Sequence, residues 1–338
     1  MNSSGTALSA MSISELIQYS NESEHAMKEV RNMKPNVSFK VFADGCLGIG
    51  IVQNLNTHDV YDVSILPLSA MPKNKVLQQI KFDGQWVYGG YDNYEMILYL
   101  ENVAKEFHLI ANYLSTLFHN PPISVMQIGK ESSQYSQAII DWLKVYGFSV
   151  SFLEILYNAD LNSNDLAYIL NNIKVTTTLG INNPLPNISD SFRHSLPPYL
   201  KHLTCYNSKW ILLKQLVTPY FEFIHLNRTI FTNEQMACYV KLWLDGELPG
   251  LVYFEVKVND IDLKKIAYRV GAQKTISKVD RLVQCKQFTD QNIIITGHYD
   301  FKRSDGMVAT IGHRYGGYAE PSFQMFIGTK YDTGKYKF

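Results

Sequence analysis

The chain has 338 residues, 46% hydrophobic and 18% charged, an ordinary globular balance with apolar surface for one elongated domain or two modest ones. Lys+Arg and Asp+Glu are equal at 31 each, so the basic excess by which proteins grip phosphate backbones is missing and nucleic acid is not an expected partner. No stretch reaches the roughly 18 apolar residues of a membrane span, and a membrane is not expected either.

The amino terminus, MNSSGTALSAMSISEL, lacks the basic start and apolar run of a secretory signal. Cys46, Cys205, Cys238 and Cys285 lie far apart with no CxxC pair and read as reduced, mostly buried thiols. The expected compartment is cytoplasm or nucleus. Residues 11–34 carry a helical pattern. Residues 35–90 alternate apolar and polar positions (Phe39/Val41, Ile49/Ile51, Val63/Ile65, Ile80/Phe82) between Gly, Asn, Asp and Pro, which predicts an antiparallel meander. Over 91–120, Ile97, Leu100, Ala104, Phe107, Ala111, Leu114 and Phe118 step by three and four, which predicts one long helix with a core-facing stripe.

From 121 to 271 a repeat organises the sequence. Apolar triplets at x, x+3 and x+5 recur at intervals of 21 to 30 residues: Ile123/Met126/Ile128, Val150/Leu153/Ile155, Thr176/Leu179/Ile181, Leu200/Leu203/Cys205, Phe221/Ile224/Leu226 and Leu251/Phe254/Val256. On a short parallel strand the x+3 and x+5 side chains share one face. The intervening segments read as helices. Thr232–Gln235 is a capping box, followed by the stripe Met236, Tyr239, Val240, Trp243, Leu244 and the stop Gly246. Ile139/Trp142/Leu143/Tyr146, Leu166/Ile169/Leu170/Ile173 and Leu263/Ile266/Ala267/Val270 repeat the pattern, the first ending at Gly147 and the last at Gly271. A strand plus a helix every twenty-odd residues predicts a leucine-rich-repeat-like α/β solenoid, with a compact doubly wound α/β sheet as the alternative. The expected fold is this solenoid with a short helical N-terminus, an N-terminal antiparallel β segment and a C-terminal β-hairpin or meander over 283–330. In the last, Ser304-Asp305-Gly306 turns between two strands.

Catalytic and ligand motifs are sparse. No two of the nine histidines have the i, i+4 spacing of a helical zinc pair, and no metal or cofactor is expected. His202 and Cys205 fall at odd separation on a predicted strand and read as a surface histidine and a core cysteine. Gly129-Lys130 lacks the remaining phosphate-loop positions, since Ser124 and Glu131 stand where Gly and Ser/Thr are required. Asp141, Glu154, Asp160 and Asp165 have no sequence sign of convergence. Tyr88–Tyr91 and Tyr315–Tyr318, both Tyr-Gly-Gly-Tyr, read as turns. The basic run from Lys264 through Lys265, Arg269, Lys274 and Lys278 to Arg281 reads as a solvated face, with a partner patch as the alternative.

Two stretches resemble the nematode F-box-associated family with the type-2 associated domain. Phe231–Val258 is similar to the family's Thr-capped helix ending in Trp and Gly, followed by a Leu-initiated strand, with Thr232, Trp243 and Gly246 at the marked positions. Asp300–Ile311 resembles its closing hairpin through Asp300, Arg303, Asp305, Gly306, Ala309, Thr310 and Ile311; Phe301 and Lys302 depart from the usual Ile and Arg. Residues 11–34 resemble the second half of an F-box, with Glu22, Glu24 and His25 departing from it and the first half without a counterpart. The resemblance divides the chain into a partial F-box-like segment, 1–34, and an F-box-associated domain, 35–338. It implies a non-catalytic substrate-recognition protein of a cullin–RING ubiquitin ligase, docking on the Skp-type adaptor through Ser12, Ile13, Leu16 and Ile17. The motif residues are expected to build structure. Solenoid logic places target-binding residues on the exposed strand positions Gln127, Glu154, Thr204, His225 and Glu255. The alternatives are a free-standing binding or decoy protein without ligase connection, and an α/β enzyme of unknown chemistry.

Overall fold

A computed structural model describes residues 8, 11–53, 60–73, 77–91, 94–130, 132–189, 191–258, 260–271, 273–274, 280–284, 292–313, 322–328 and 336–337. It falls into two compact units, one of Met1–Thr176 with Leu185–Ile188 and one of Thr177–Pro184 with Ser189–Phe338. The class is mixed α/β, and among the described residues antiparallel strand pairs outnumber parallel ones.

Local signals set the element ends in the first unit. Helix α1 (Ile13–Ser20) starts at Ser12, whose hydroxyl and the Glu15 carboxylate complete a capping box. Helix α2 (Glu24–Met33) is capped by Ser23 and ends at Lys34 in the left-handed region. The strands are β1 (Val37–Ala43), β2 (Leu47–Gln53), β3 (Val60–Pro67), β4 (Gln78–Phe82), β5 (Gln85–Tyr91), β6 (Glu95–Leu100), β7 (Ile123–Ile128) and β8 (Val150–Ile155). They form one sheet in the order β4-β5-β6-β3-β2-β1-β7-β8, in which β3–β6, β1–β7 and β7–β8 are parallel. One apolar row, Met96–Val63–Ile49–Val41–Met126–Leu153, crosses six strands in register and is fully buried. Helix α3 (Val103–Leu117) packs on β2, β3, β4 and β6, and α4 (Ser132–Tyr146) packs between α3 and α5 (Ser163–Asn172). Trp142 anchors this layer, edge-on to Phe107 and bonded through Nε1 to Asn112 Oδ1 at 3.1 Å.

Two expectations fail in this unit. The long helix begins at Val103, capped by Asn102, and Ile97 and Leu100 lie on β6. The three-and-four spacing there is coincidental; the segment is fixed by pairing with β3 and β5. Tyr88–Tyr91 is no turn but the end of β5, where a Cβ on Gly89 would meet the Ile97 carbonyl at 2.9 Å, so glycine permits the close strand approach.

In the second unit, Thr178–Ile181 of β9 (Val175–Ile181) pair in parallel with β10 (His202–Cys205), which pairs with β11 (Phe223–Leu226), and that with β12 (Tyr253–Lys257). The sheet continues antiparallel, with β17 (Ser322–Gly328) beside β12, then β16 (Val308–His313) and β15 (Asn292–Lys302). Strands β13 (Gln273–Lys274) and β14 (Asp280–Gln284) pair with β15, and β18 (Tyr336–Lys337) with β14. The triplet positions align: Leu179, Leu203, Ile224, Phe254 and Met325 form one buried row, and Ile181, Cys205, Leu226, Val256 and Phe323 the next. Helix α6 (Asn233–Leu244) lays Tyr239 against Phe254, ring centroids 4.3 Å apart, and packs on α7 (Leu263–Val270), which ends at Gly271 with φ +78°.

Strand and helix do not alternate throughout, contrary to expectation. The described residues of 182–201 hold no helix, and 206–222 hold only the 3-10 turn Leu213–Leu216. Pro184, Pro186, Pro197, Pro198 and Pro219 break helical hydrogen bonding there. The turn expected at 304–306 is present, with Gly306 at φ +94° and its N–H bonded to the Arg303 carbonyl. Lys278, Cys285 and Tyr315–Tyr318 lie outside the described residues. Among the described residues, no helix is long and apolar enough to cross a membrane.

Because Leu203 sits at the middle of an in-register row, Leu203→Ala is expected to cost about 2–5 kcal/mol in urea unfolding, whereas the exposed Ser151→Ala is expected to stay within about 0.5 kcal/mol.

Candidate protein-binding surfaces

Period-two alternation sends the polar strand positions to the face opposite the apolar rows. In the first unit Gln127 and Glu154 stand directly opposite each other, half-buried, with Gln127 Nε2 donating to Glu154 Oε2 at 2.7 Å. The same face carries Lys40, Asp62 and Glu95, which sequence reasoning passed over although they fill the polar slots of the meander. Gly50 lies between Lys40 and Asp62 in the ladder; a Cβ there would approach Asp62 Oδ1 to 2.7 Å. Burial, opposed by Lys40 and reinforced by Glu95, holds the Asp62 carboxyl above the usual carboxylate range. Ser64 donates to Glu95 at 2.7 Å.

In the second unit Thr204, His225 and Glu255 are successive partners across β10, β11 and β12. Thr204 and His225 are half-buried, but Glu255, expected on an exposed position, is only 2% exposed. Its carboxylate accepts from Tyr253 Oη at 2.7 Å, Ser322 Oγ at 2.9 Å and Gln324 Nε2 at 3.1 Å, with His225 Nε2 at 3.7 Å. Burial pushes this carboxyl up, yet His225 and the three hydrogen bonds together outweigh burial and leave it below the usual range. His202, expected at the surface, is also buried. Its Nδ1 lies 3.1 Å from Thr178 Oγ1 and its Nε2 3.5 Å from Glu222 Oε2. Burial dominates over the nearby Glu222 carboxylate and lowers its pKa, so the fold favours the neutral ring. Cys205 faces the core as expected, its thiol pushed up to about 12 by burial. Cys46 is half-buried and Cys238 exposed.

The strand ends display aromatic residues. Tyr199 and Tyr220 precede β10 and β11, exposed and edge-on to each other at 5.0 Å; Arg228 lies over the Tyr206 ring at 5.2 Å just past the strands. Their signal in the sequence is a Pro-X-apolar lead into each strand, Pro198-Tyr199-Leu200 and Pro219-Tyr220-Phe221, with Gly250 at the third equivalent. Gly250 is required there, since a Cβ would meet the Pro219 carbonyl at 2.7 Å.

The adaptor candidates split. Ser12 is exposed as a helix cap, while Ile13, Leu16 and Ile17 are buried within the first unit. Ser20, on the same helix face, bonds Tyr113 of α3 at 2.6 Å, and His119 bonds the Arg31 carbonyl.

The marked motif residues lie at element ends and in the closing hairpin. Thr232 completes its box with Gln235, and Gly246 follows α6 at φ +87°. The Arg303 guanidinium lies 5.0 Å over the buried Trp243 ring and pairs with Asp305, while Asp300 accepts from Thr310 at 2.7 Å. The two similar stretches thus meet at Trp243 and Arg303.

The four acidic residues considered for acid–base work serve locally. Asp141 accepts from Gln137, Asp160 from Asn187, and Asp165 closes the α5 capping box with Asn162. At Gly129-Lys130 the Asp44 carboxylate takes the Lys130 N–H at 2.9 Å, the place a phosphate oxygen would occupy in a phosphate loop. Among the described residues, no group of three His, Cys, Asp or Glu could hold a metal ion.

The candidate polar and aromatic side chains thus lie along strand rows and at strand ends. Residues 191–256, spanning β10, β11, α6 and most of β12, match the family model described as F-box associated. The match covers about a fifth of the chain; it supports that family and, in general terms, a substrate-recognition role. No curated protein matches the chain, and no solved structure does.

Glu255 supplies a pH test. A carboxyl held low in the fold stabilises it above the ordinary glutamate value of about 4.3, and that contribution is lost as pH falls through the folded value. The stability advantage of the native protein over Glu255→Gln, read from urea unfolding, is expected to be full at neutral pH and to shrink below about pH 4.

Proposed function

We propose that the protein is a non-catalytic substrate-recognition module related to the nematode F-box receptors of cullin–RING ligases. The observation that carries this reading is the F-box-associated match over 191–256, which contains Thr204 and His225 on β10 and β11 and Tyr199, Tyr206 and Tyr220 at the strand ends. The in-register rows within each unit support a leucine-rich-repeat-like solenoid as the scaffold. A target protein docks on the exposed tyrosines, whose large, rigid, amphipathic rings suit interface anchors. Thr204 and His225 contribute polar contacts in the second unit, and Gln127 and Glu154 do so in the first. Glu255 acts behind them by fixing His225. In the domain division of this reading, 1–34 is the partial F-box-like segment and 35–338 the associated domain.

The burial of Ile13, Leu16 and Ile17 favours a second form of the reading, in which the module binds targets without the ligase. Adaptor docking through those residues would require α1 to leave its seat, losing about 1.5–3 kcal/mol for each apolar side chain exposed.

Affinity purification of the intact protein from cytoplasm or nucleus, with bound proteins identified, tests the target-binding site that both forms share. Tyr199→Ala/Tyr220→Ala is expected to fold normally and to weaken the principal captured protein at least about tenfold, and undiminished capture would refute the tyrosine-based site. A purified Skp-type adaptor is expected to show no binding to the native chain at about 10 μM. Binding at that concentration that survives Leu16→Ala and Ile17→Ala would place the adaptor elsewhere on the chain.

A further inference from the structure

Strand β4 is the edge of the first unit's sheet, and among the described residues it pairs with β5 alone. The two-residue turn Asp83-Gly84, both with positive φ, makes Phe82 and Gln85 a hydrogen-bonded pair. Alternation then turns the bonding groups of Ile80 and Gln78 toward β5 as well. The N–H and C=O groups of Gln79 and Lys81 consequently point outward, and among the described residues nothing bonds them.

A groove of about 890 Å³ runs along this edge. Ile80 and Lys81, from opposite faces of β4, both line it, so it opens on the strand's rim. The opposite wall is α2, which presents Glu24, Met27, Lys28 and Arg31, the spacing of one helical face. Met27, Ile80 and Tyr113 give an apolar floor, and Trp86, 64% exposed beneath the Lys81 ammonium, stands at the rim. Charge is divided along the wall. Glu22 and Glu24 lie at the start of α2, while Lys28 and Arg31 follow about 6 and 10 Å further on. Arg31 Nε is buried, and among the described residues nothing accepts from it, while a guanidinium can only donate.

We infer that the groove between β4 and α2 binds an extended segment of a partner protein, which adds to the sheet as a strand beside β4 and sets a carboxylate against Lys28 and Arg31. Strand addition satisfies the outward groups of Gln79 and Lys81; alternate side chains of the segment fall on the apolar floor. With five residues in β4, the paired segment spans about 17 Å. The cationic half of the wall selects an acidic segment, and the acidic half fixes its direction. This surface belongs to the first unit and stands or falls independently of Tyr199 and Tyr220.

The test uses the full chain and a fluorescein-labelled heptapeptide of alternating valine and glutamate, read by anisotropy. Saturable binding is expected, with slowed deuterium exchange at the Gln79 and Lys81 amides. Lys81→Pro, which removes an edge donor at a position where proline is tolerated, is expected to weaken binding at least about tenfold, and Lys81→Arg is expected to keep it. Arg31→Gln is expected to weaken the valine–glutamate peptide and leave a valine–glutamine peptide unchanged. The inference is overturned by absence of saturable binding up to about 1 mM, or by equal binding of a peptide N-methylated at alternate amides. It is also overturned if, in the free protein, the Gln79 and Lys81 amides exchange as slowly as that of Ile80. Slow exchange would mean the edge is already covered, and sedimentation would tell a second copy from the chain itself.

Discussion

Everything in this molecule hangs on apolar rows that run across the strands in register. In the first unit six strands contribute one residue each to the row Met96–Val63–Ile49–Val41–Met126–Leu153, and every member is sealed from water. In the second, Leu179, Leu203, Ile224, Phe254 and Met325 do the same, passing from parallel to antiparallel pairing between β12 and β17 without a break. A one-residue slip in any strand would send its apolar set to the wrong face, so the register is held by the hydrophobic effect itself. The opposite face is then left for polar side chains, and that is where Gln127, Glu154, Thr204 and His225 stand.

Glu255 shows how demanding this arrangement is. Its place in the row beside Thr204 and His225 is polar by alternation, yet it is closed off from solvent. A carboxylate there requires partners, and Tyr253, Ser322, Gln324 and His225 provide them. Two of those partners come from β17, almost seventy residues away along the chain. Arg303 on Trp243 is a second long-range tie, stacking the closing hairpin on the capped helix.

At the amino end the same burial claims a helix. Helix α1 lays its apolar face on the chain's own first unit, and Ser20 fastens it to Tyr113. What the helical pair offers outward is the wall formed by α2, set across from a sheet edge whose outward backbone groups have no partner among the described residues.

Much of this was legible in the residues alone. The capping box at Thr232, the stop at Gly271, the turn at Gly306 and the strand triplets are written in local chemistry, where a side chain satisfies a neighbour's backbone or a period matches a face. Tertiary pairing decided the rest. Ile97 and Leu100 have helical spacing but belong to β6, because β3 and β5 supply its hydrogen bonds. The described residues of 182–201 sit in a strand–helix rhythm yet hold no helix, their prolines having no backbone N–H to give. The burial of His202 and Glu255, and the inward turn of Ile13, Leu16 and Ile17, depend on groups that only the folded chain brings near. Sequence by itself determined which face of each strand and helix is apolar, since that follows from periodicity; which of the polar positions stay open to a partner was settled only by what the tertiary structure laid over them.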